Sequence, residues 1–177
     1  KEFPEDISSG CAYELLSEVY RQLKNLPQEQ ATLEQWIQRD NDALSAQLRL
    51  LEIYAEQENW QELARVAELT LAVNPLLTSP QQHLAAALTA MKQPQQSIPP
   101  LQALLALDPR DPADVHYRLA RSLQETGKHS SARRHVLQAL EFAPRYRDAH
   151  RLLLELAKSP KPVEAAPKPS SSPGRNP

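Results

Sequence analysis

The sequence predicts an all-α fold, an α-solenoid of stacked antiparallel helical hairpins, and three observations carry that prediction. Pro27, Pro75, Pro80, Pro94, Pro109, Pro112 and Pro144 punctuate the chain and help delimit stretches of roughly 12 to 17 residues. Those stretches are rich in Leu, Ala, Gln, Glu and Arg and poor in β-branched residues, a composition that favours helix. The third observation is a repeat. Leu16, Leu50, Leu84 and Leu119 lie 34, 34 and 35 residues apart, and four residues after each come Tyr20, Tyr54, Leu88 and Leu123, apolar every time.

Within the stretches, apolar residues recur at helical spacing. Leu15, Val19 and Leu23 form one such stripe, Leu48, Leu51 and Ala55 another, and Leu137, Leu140 and Ala143 a third. Helices this short are marginal alone in water, so each is expected to bury its stripe against neighbours. The second helix of each unit has columns of its own: Leu33, Ala67, Leu101 and Val136, then Ile37, Leu71, Leu105 and Leu140. Each unit closes on Asn41, Pro75, Pro109 or Pro144. A period near 34 residues carrying two helices is the mark of a helical-hairpin repeat array.

These columns resemble the tetratricopeptide repeat, whose first helix carries an aromatic residue, Leu-Gly and Tyr, and whose second carries small and bulky residues and a closing proline. Residues 10–43 supply Tyr13, Leu16, Ser17 and Tyr20, with Trp36 in a slot that is usually alanine and Asn41 in place of the proline. Residues 44–77 supply Leu50, Tyr54, Trp60 in an aromatic slot, and Pro75. Residues 78–111 supply Leu84-Ala85 and Leu107-Asp108-Pro109. Residues 113–146 match most fully, with Leu119-Ala120, Gly127, Ala132, Val136, Ala139 and Pro144. A closing helix at 147–158 completes a domain spanning 10–158. The resemblance implies a right-handed superhelix with a concave groove, lined mainly by the first helix of each unit, that holds a peptide or a partner helix.

Two departures predict local differences. Glu29, Leu63 and Ser97 fill a slot where a small residue lets helices approach, and Ala132 alone keeps it, so the first two units are expected to be looser or shifted. Pro99 and Pro100 fall inside the nominal second helix of the third unit, where a proline costs about 3 kcal/mol. That helix is therefore expected to start late, near Ser97 as its cap, or to kink, after a lengthened loop at 92–96.

The ends differ from the array. Residues 1–9 read as a lead-in from a preceding region, and a first residue that is lysine suggests a piece of a longer protein. Residues 159–177, with six prolines, three consecutive serines and no large apolar residue except Val163, read as a Pro/Ser-rich disordered tail. No apolar run approaches 18 residues, so neither a membrane span nor a signal peptide is expected. With 20 basic and 22 acidic groups, the formal charge of −2 gives no reason to expect nucleic acid or an anionic membrane as partner. The single cysteine, Cys11, leaves the cellular compartment undetermined.

Catalysis finds little support. Cys11 has no histidine before His83, and His83, His116, His129, His135 and His150 show neither a four-apart pair beside a glutamate nor zinc spacing with cysteine. Away from the ends Gly127 is the sole glycine, so phosphate-cradling loops are absent. No catalytic residue, metal site or cofactor is expected. His116, in the aromatic slot, is expected to pack partly in the core.

The inward-facing slots run from acidic to basic. Glu14, Glu18, Arg21 and Gln22 come first, then Arg49, Glu52 and Glu56, then Gln82, His83, Ala86 and Thr89. Tyr117, Arg118, Arg121 and Gln124 follow, and the last helix adds Arg151 and Glu155. Arg118 and Arg121 are surface neighbours on one helix, and Arg151 occupies the equivalent place on the next. Forked guanidinium groups there suit a carboxylate or acidic side chain, with Tyr117 stacking and with Gln124, Arg49 and Gln82 along the same groove. Asp114, Glu125, Asp148 and Glu155 are also near enough in sequence to pair with these arginines. Chaperone-binding relatives use a lysine and an asparagine to clamp a terminal carboxylate; Glu14 and Glu18 stand there instead, so that activity does not carry over. A second basic strip of Lys128, His129, Arg133, Arg134 and His135, flanked by Arg145 and Arg147, lacks interleaved aromatics other than Tyr146. It reads as a solvated face or a dock for an acidic partner domain rather than a nucleic-acid surface.

The function these features predict is a non-catalytic protein–protein interaction module, taking a partner of acidic character in the C-terminal half of its groove. Two other readings stand beside it. One is an accessory C-terminal repeat region of a larger bacterial enzyme, such as a multidomain peptidase. The other is homo-oligomerisation through apolar surface left near Trp36. Charge is unevenly spread, at −8 over residues 1–109 and +4 over residues 110–151.

Overall fold

The computed structural model describes residues 12–158, and these hold nine helices and no strand. Cys11, the lead-in and the Pro/Ser-rich tail lie outside the described residues. The helices are α1 (Ala12–Gln22), α2 (Leu26–Arg39), α3 (Leu44–Glu56), α4 (Trp60–Val73), α5 (Thr78–Ala90), α6 (Pro94–Ala106), α7 (Pro112–Glu125), α8 (His129–Phe142) and α9 (Arg147–Lys158). Each packs mainly against the helix before it and the helix after it, which is the contact pattern of a solenoid.

Short turns close the hairpins by one device used four times. Lys24, Glu58, Lys92 and Gly127, again 34, 34 and 35 residues apart, take positive φ of 55, 55, 56 and 76°. The next amide donates back to Tyr20, Tyr54, Leu88 or Leu123, at 2.8 to 2.9 Å, and the positive-φ residue itself donates to a carbonyl three residues earlier. This is a Schellman end, which satisfies the last carbonyls of the first helix. The residue that donates backward also opens the second helix. Asn25 and Asn59 cap α2 and α4 through their side-chain oxygens, whereas Gln93 and Lys128 make no such bond at α6 and α8. Among the described residues no helix is long and apolar enough to cross a membrane.

The core forms two clusters, one built by α2 to α5 and one by α5 to α9. The repeat columns supply most of it: Leu50, Leu84 and Leu119 are buried, as are Tyr54, Leu88 and Leu123. Their first-unit counterpart behaves differently. Leu16 is 43 % exposed, and Leu15, Val19 and Leu23 are exposed with it, so the α1 stripe expected in the core faces outward. Periodicity marked α1 as amphipathic, but α1 ends the described stack and no described helix covers that face. On α8, likewise, Leu137 is exposed, while the smaller Ala132, Val136 and Ala139 face inward. Trp36 is buried against the first cluster, so it offers no apolar surface for self-association.

The slot for a small residue is filled three different ways. Leu63 and Ser97 are fully buried, and Glu29 is buried against Arg49 of α3. Ala132 sits where α7 and α8 make the most extensive contact of any pair. The third hairpin departs from expectation. Helix α6 starts at Pro94, directly after Gln93, and its loop is no longer than those of the other hairpins. Pro94 suits a first helical position because its missing N–H would be unsatisfied there anyway. Pro99 and Pro100 leave the carbonyls of Gln95 and Gln96 without helical donors, and both glutamines are exposed to water. Ser97 is not a cap. Its hydroxyl donates to the carbonyl of Pro94 at 3.0 Å and lies 2.7 Å from the hydroxyl of Ser122 on α7.

Candidate functional site: the groove between alternate helices

Odd-numbered helices lie side by side, with α3 touching α5 and α7 touching α9. Hollows open between them. The one between α5 and α7, about 400 Å³, is lined by Gln82, His83 and Ala86 of α5 and by Asp114, Val115 and Arg118 of α7. Pro109, Arg110 and Asp111 of the connecting loop line it as well. Asp111 also caps α7, accepting from the Asp114 amide at 3.0 Å, which fixes where the helix and its arginines begin. Arg118 belongs as well to a smaller adjoining hollow, shared with Thr89, Pro94, Arg121, Ser122 and Glu125. Of the site residues expected from sequence, Gln82, Arg118 and Arg121 therefore share one continuous stretch of wall.

The other expected residues are placed differently. Arg151 lies on α9 with a largely exposed side chain, and Gln124 donates to Glu155 at 3.4 Å, tying α7 to α9. The Tyr117 ring rests on Tyr146 with centroids 4.9 Å apart, so it braces the junction ahead of α9 instead of offering a free stacking face. Tyr146 in turn donates to Asp114 at 3.2 Å, and burial together with that carboxylate holds its hydroxyl far above the usual phenol range. Arg49 stands apart, in a hollow of about 350 Å³ between α1 and α3 that also contains Glu14, Glu18 and Trp36. It is engaged by Glu29 and by Glu52 at 2.8 Å, and the hydrogen bond to Glu29 above all holds its proton more firmly than usual.

Arg118, Arg121 and Arg151 each have an acidic neighbour on their own helix. Arg118 faces Asp114 at 3.9 Å, Arg121 faces Glu125 at 3.5 Å, and Arg151 faces Asp148 at 3.2 Å. Exposed pairs of this kind are worth roughly 0 to 1 kcal/mol, so an incoming carboxylate competes with them readily. The pair of Arg118 is the slackest, since 3.9 Å exceeds hydrogen-bonding distance.

No family model and no curated protein matches the sequence. Solved structures do match. YrrB, a TPR protein with an unusual peptide-binding site, superposes with a TM-score of 0.72 at 18 % identity, over 87 % of this chain and 77 % of that one. The fold is that of a tetratricopeptide-repeat solenoid. MamA from Desulfovibrio magneticus RS-1 is similar at TM-score 0.66 and 18 % identity, over 81 % of each chain. The first TPR of Spaghetti (RPAP3), bound to the HSP90 peptide SRMEEVD, is similar at TM-score 0.58 and 16 % identity, over 67 % of this chain and 93 % of that one. At these identities the likeness is one of fold.

Within this solenoid, one arrangement escaped the sequence reading. His116 of α7 and His135 of α8 bring their Nδ1 atoms to 3.1 Å, with rings stacked at 5.2 Å, and Phe142 stacks on His116 at 5.9 Å. Burial lowers the pKa of both histidines, and for His135 the neighbouring His116 adds to the effect. His116 fills its aromatic slot as expected. His135, read as part of a basic strip, instead turns to meet it, and nothing in sequence spacing marks such a cross-hairpin pair. Among the described residues no group of three or more His, Cys, Asp or Glu is placed to hold a metal ion.

Proposed function

We propose that residues 10–158 act as a non-catalytic interaction module whose groove holds an acidic peptide or partner segment along α5, α7 and α9. The observation that carries this reading is the position of Arg118, on the wall of two adjoining hollows with Gln82 on one side and Arg121 on the other. Forked charge-assisted bonds to a carboxylate are worth roughly 1.5 to 3 kcal/mol each, well above the local pairs they replace. Fold neighbours that bind peptides support the reading: YrrB has a peptide-binding site, and the Spaghetti repeat holds a peptide with two glutamates and an aspartate. Recognition here rests on side-chain carboxylates, because Glu14 and Glu18 occupy the positions of the terminal-carboxylate clamp. Titration of a Glu-rich peptide with a blocked C-terminus into the wild-type chain and an Arg118→Ala, Arg121→Ala variant tests the proposal.

A further inference from the structure

The two ends of the described stack are unlike and complementary. At the first end, Leu15, Leu16, Val19 and Leu23 of α1 and its following turn form one stripe, exposed by 43 to 69 %. Residues equivalent to Leu16 in the later units are covered by the preceding hairpin. At the other end, the outer face of α9 presents Leu154, 65 % exposed, between Arg147, Arg151 and Lys158. Net charge differs in sign as well: residues 12–58 carry 9 acidic and 4 basic groups, and residues 110–158 carry 6 and 10.

We propose that α1 of one copy docks on the outer face of α9 of the next, so that the chain assembles head to tail. This goes beyond the groove reading and does not depend on it. The α1 stripe matches α9 in kind. Leu154 supplies an apolar contact, and the long stems of Arg147, Arg151 and Lys158 cover leucine surface while their charged heads reach the acidic end of the other copy. An α1-to-α1 pair would bring two acidic ends together, which is why the occupant is the opposite end of a second copy. Because the two surfaces differ, the contact is heterologous: every copy keeps one free end of each kind, and growth continues instead of stopping at a dimer.

Sedimentation of the 1–177 chain over a range of concentrations tests this, with Val19→Glu blocking the α1 end and an Arg151→Glu, Leu154→Glu variant blocking the α9 end. All the substitutions lie on exposed positions, and circular dichroism checks that helix content is kept. The wild-type mass should rise past that of a dimer with concentration at low ionic strength, and fall back at about 1 M salt, where charges are screened within about 3 Å. Each variant alone should be monomeric, while an equimolar mixture should form a one-to-one dimer, since each retains the surface the other lacks. A wild-type chain that stays monomeric over the whole range overturns the proposal. Dimerisation of the α9 variant by itself overturns it too, in favour of an α1-to-α1 pair.

Discussion

Arg49 of α3 reaches across to α2 and donates two hydrogen bonds, of 2.6 and 3.3 Å, to the buried carboxylate of Glu29. This pair stands where a repeat of this kind has a small residue, and it makes the first two hairpins depend on each other. Removing one partner of a buried pair leaves the other charge without compensation, at a cost of about 3 to 5 kcal/mol. Arg49→Met should therefore destabilise the fold by that order in urea unfolding. Glu29→Ala should cost clearly less, because the slot accepts alanine and Arg49, a quarter exposed, still has Glu52 and water. Equal losses in the two variants would mean that the carboxylate is not the group at risk.

The positive φ shared by the four hairpin turns gives a second prediction. Glu58 holds φ of +55°, a region that costs a side-chain-bearing residue roughly 1 to 2 kcal/mol. Glu58→Gly should raise stability by about 1 kcal/mol once the greater freedom of glycine in the unfolded chain is subtracted. Gly127→Ala should lower it by a similar amount, even though nothing lies within 4 Å of the added methyl, because the penalty is in φ and not in space. Chemical denaturation of both variants measures the two effects against each other.

Pro99 is exposed on α6 and denies the Gln95 carbonyl a helical donor. Pro99→Ala should therefore stabilise the protein, by about 1 kcal/mol after allowing for the more flexible unfolded chain. A loss of stability in the same denaturation experiment would show that the ring's rigidity outweighs the missing bond. Pro100 is buried, so its replacement also opens a void and is a poorer test.

How much of this was legible beforehand depended on whether a feature repeats. Leu50, Leu84 and Leu119 recur at one spacing and in one environment, so their burial could be read from the period alone. Leu15, Val19 and Leu23 have the same periodicity, yet their exposure depends on what lies beyond α1, which local spacing does not encode. The partnership of Glu29 with a guanidinium 20 residues away is likewise a property of hairpin stacking, as is the meeting of His116 and His135. At Pro99 and Pro100 the late helix start expected from sequence fails for a different reason. A proline-interrupted segment can either start late or accept the lost bonds, and Pro94 in the first helical position favours the second outcome. In the groove, the spacing of Arg118 and Arg121 was enough to place them together, but the contribution of Arg110 and Asp111 from the connecting loop was not readable from helix periodicity.

The histidine pair makes stability depend on pH. Burial lowers both pKa values in the folded protein, so the unfolded chain binds more protons over a range below the ordinary value of 6.5. The stability contributed by keeping both rings neutral is thus complete above that value and is lost as pH falls below it. Thermal unfolding should show a lower midpoint at pH 5 than at pH 7.5, and His116→Phe should shrink the difference. A midpoint with the same pH dependence in wild type and variant would assign the acid sensitivity to other groups.

The proposed function requires that the wall formed by Arg118 and Arg121 bind acidic side chains. Isothermal titration of the blocked Glu-rich peptide, at fixed low ionic strength, tests it most directly. Losing two charge-assisted contacts of roughly 1.5 to 3 kcal/mol each predicts at least a tenfold weaker Kd in the Arg118→Ala, Arg121→Ala variant, with helix content unchanged. An affinity equal to that of the wild-type chain would rule out this wall as the binding surface.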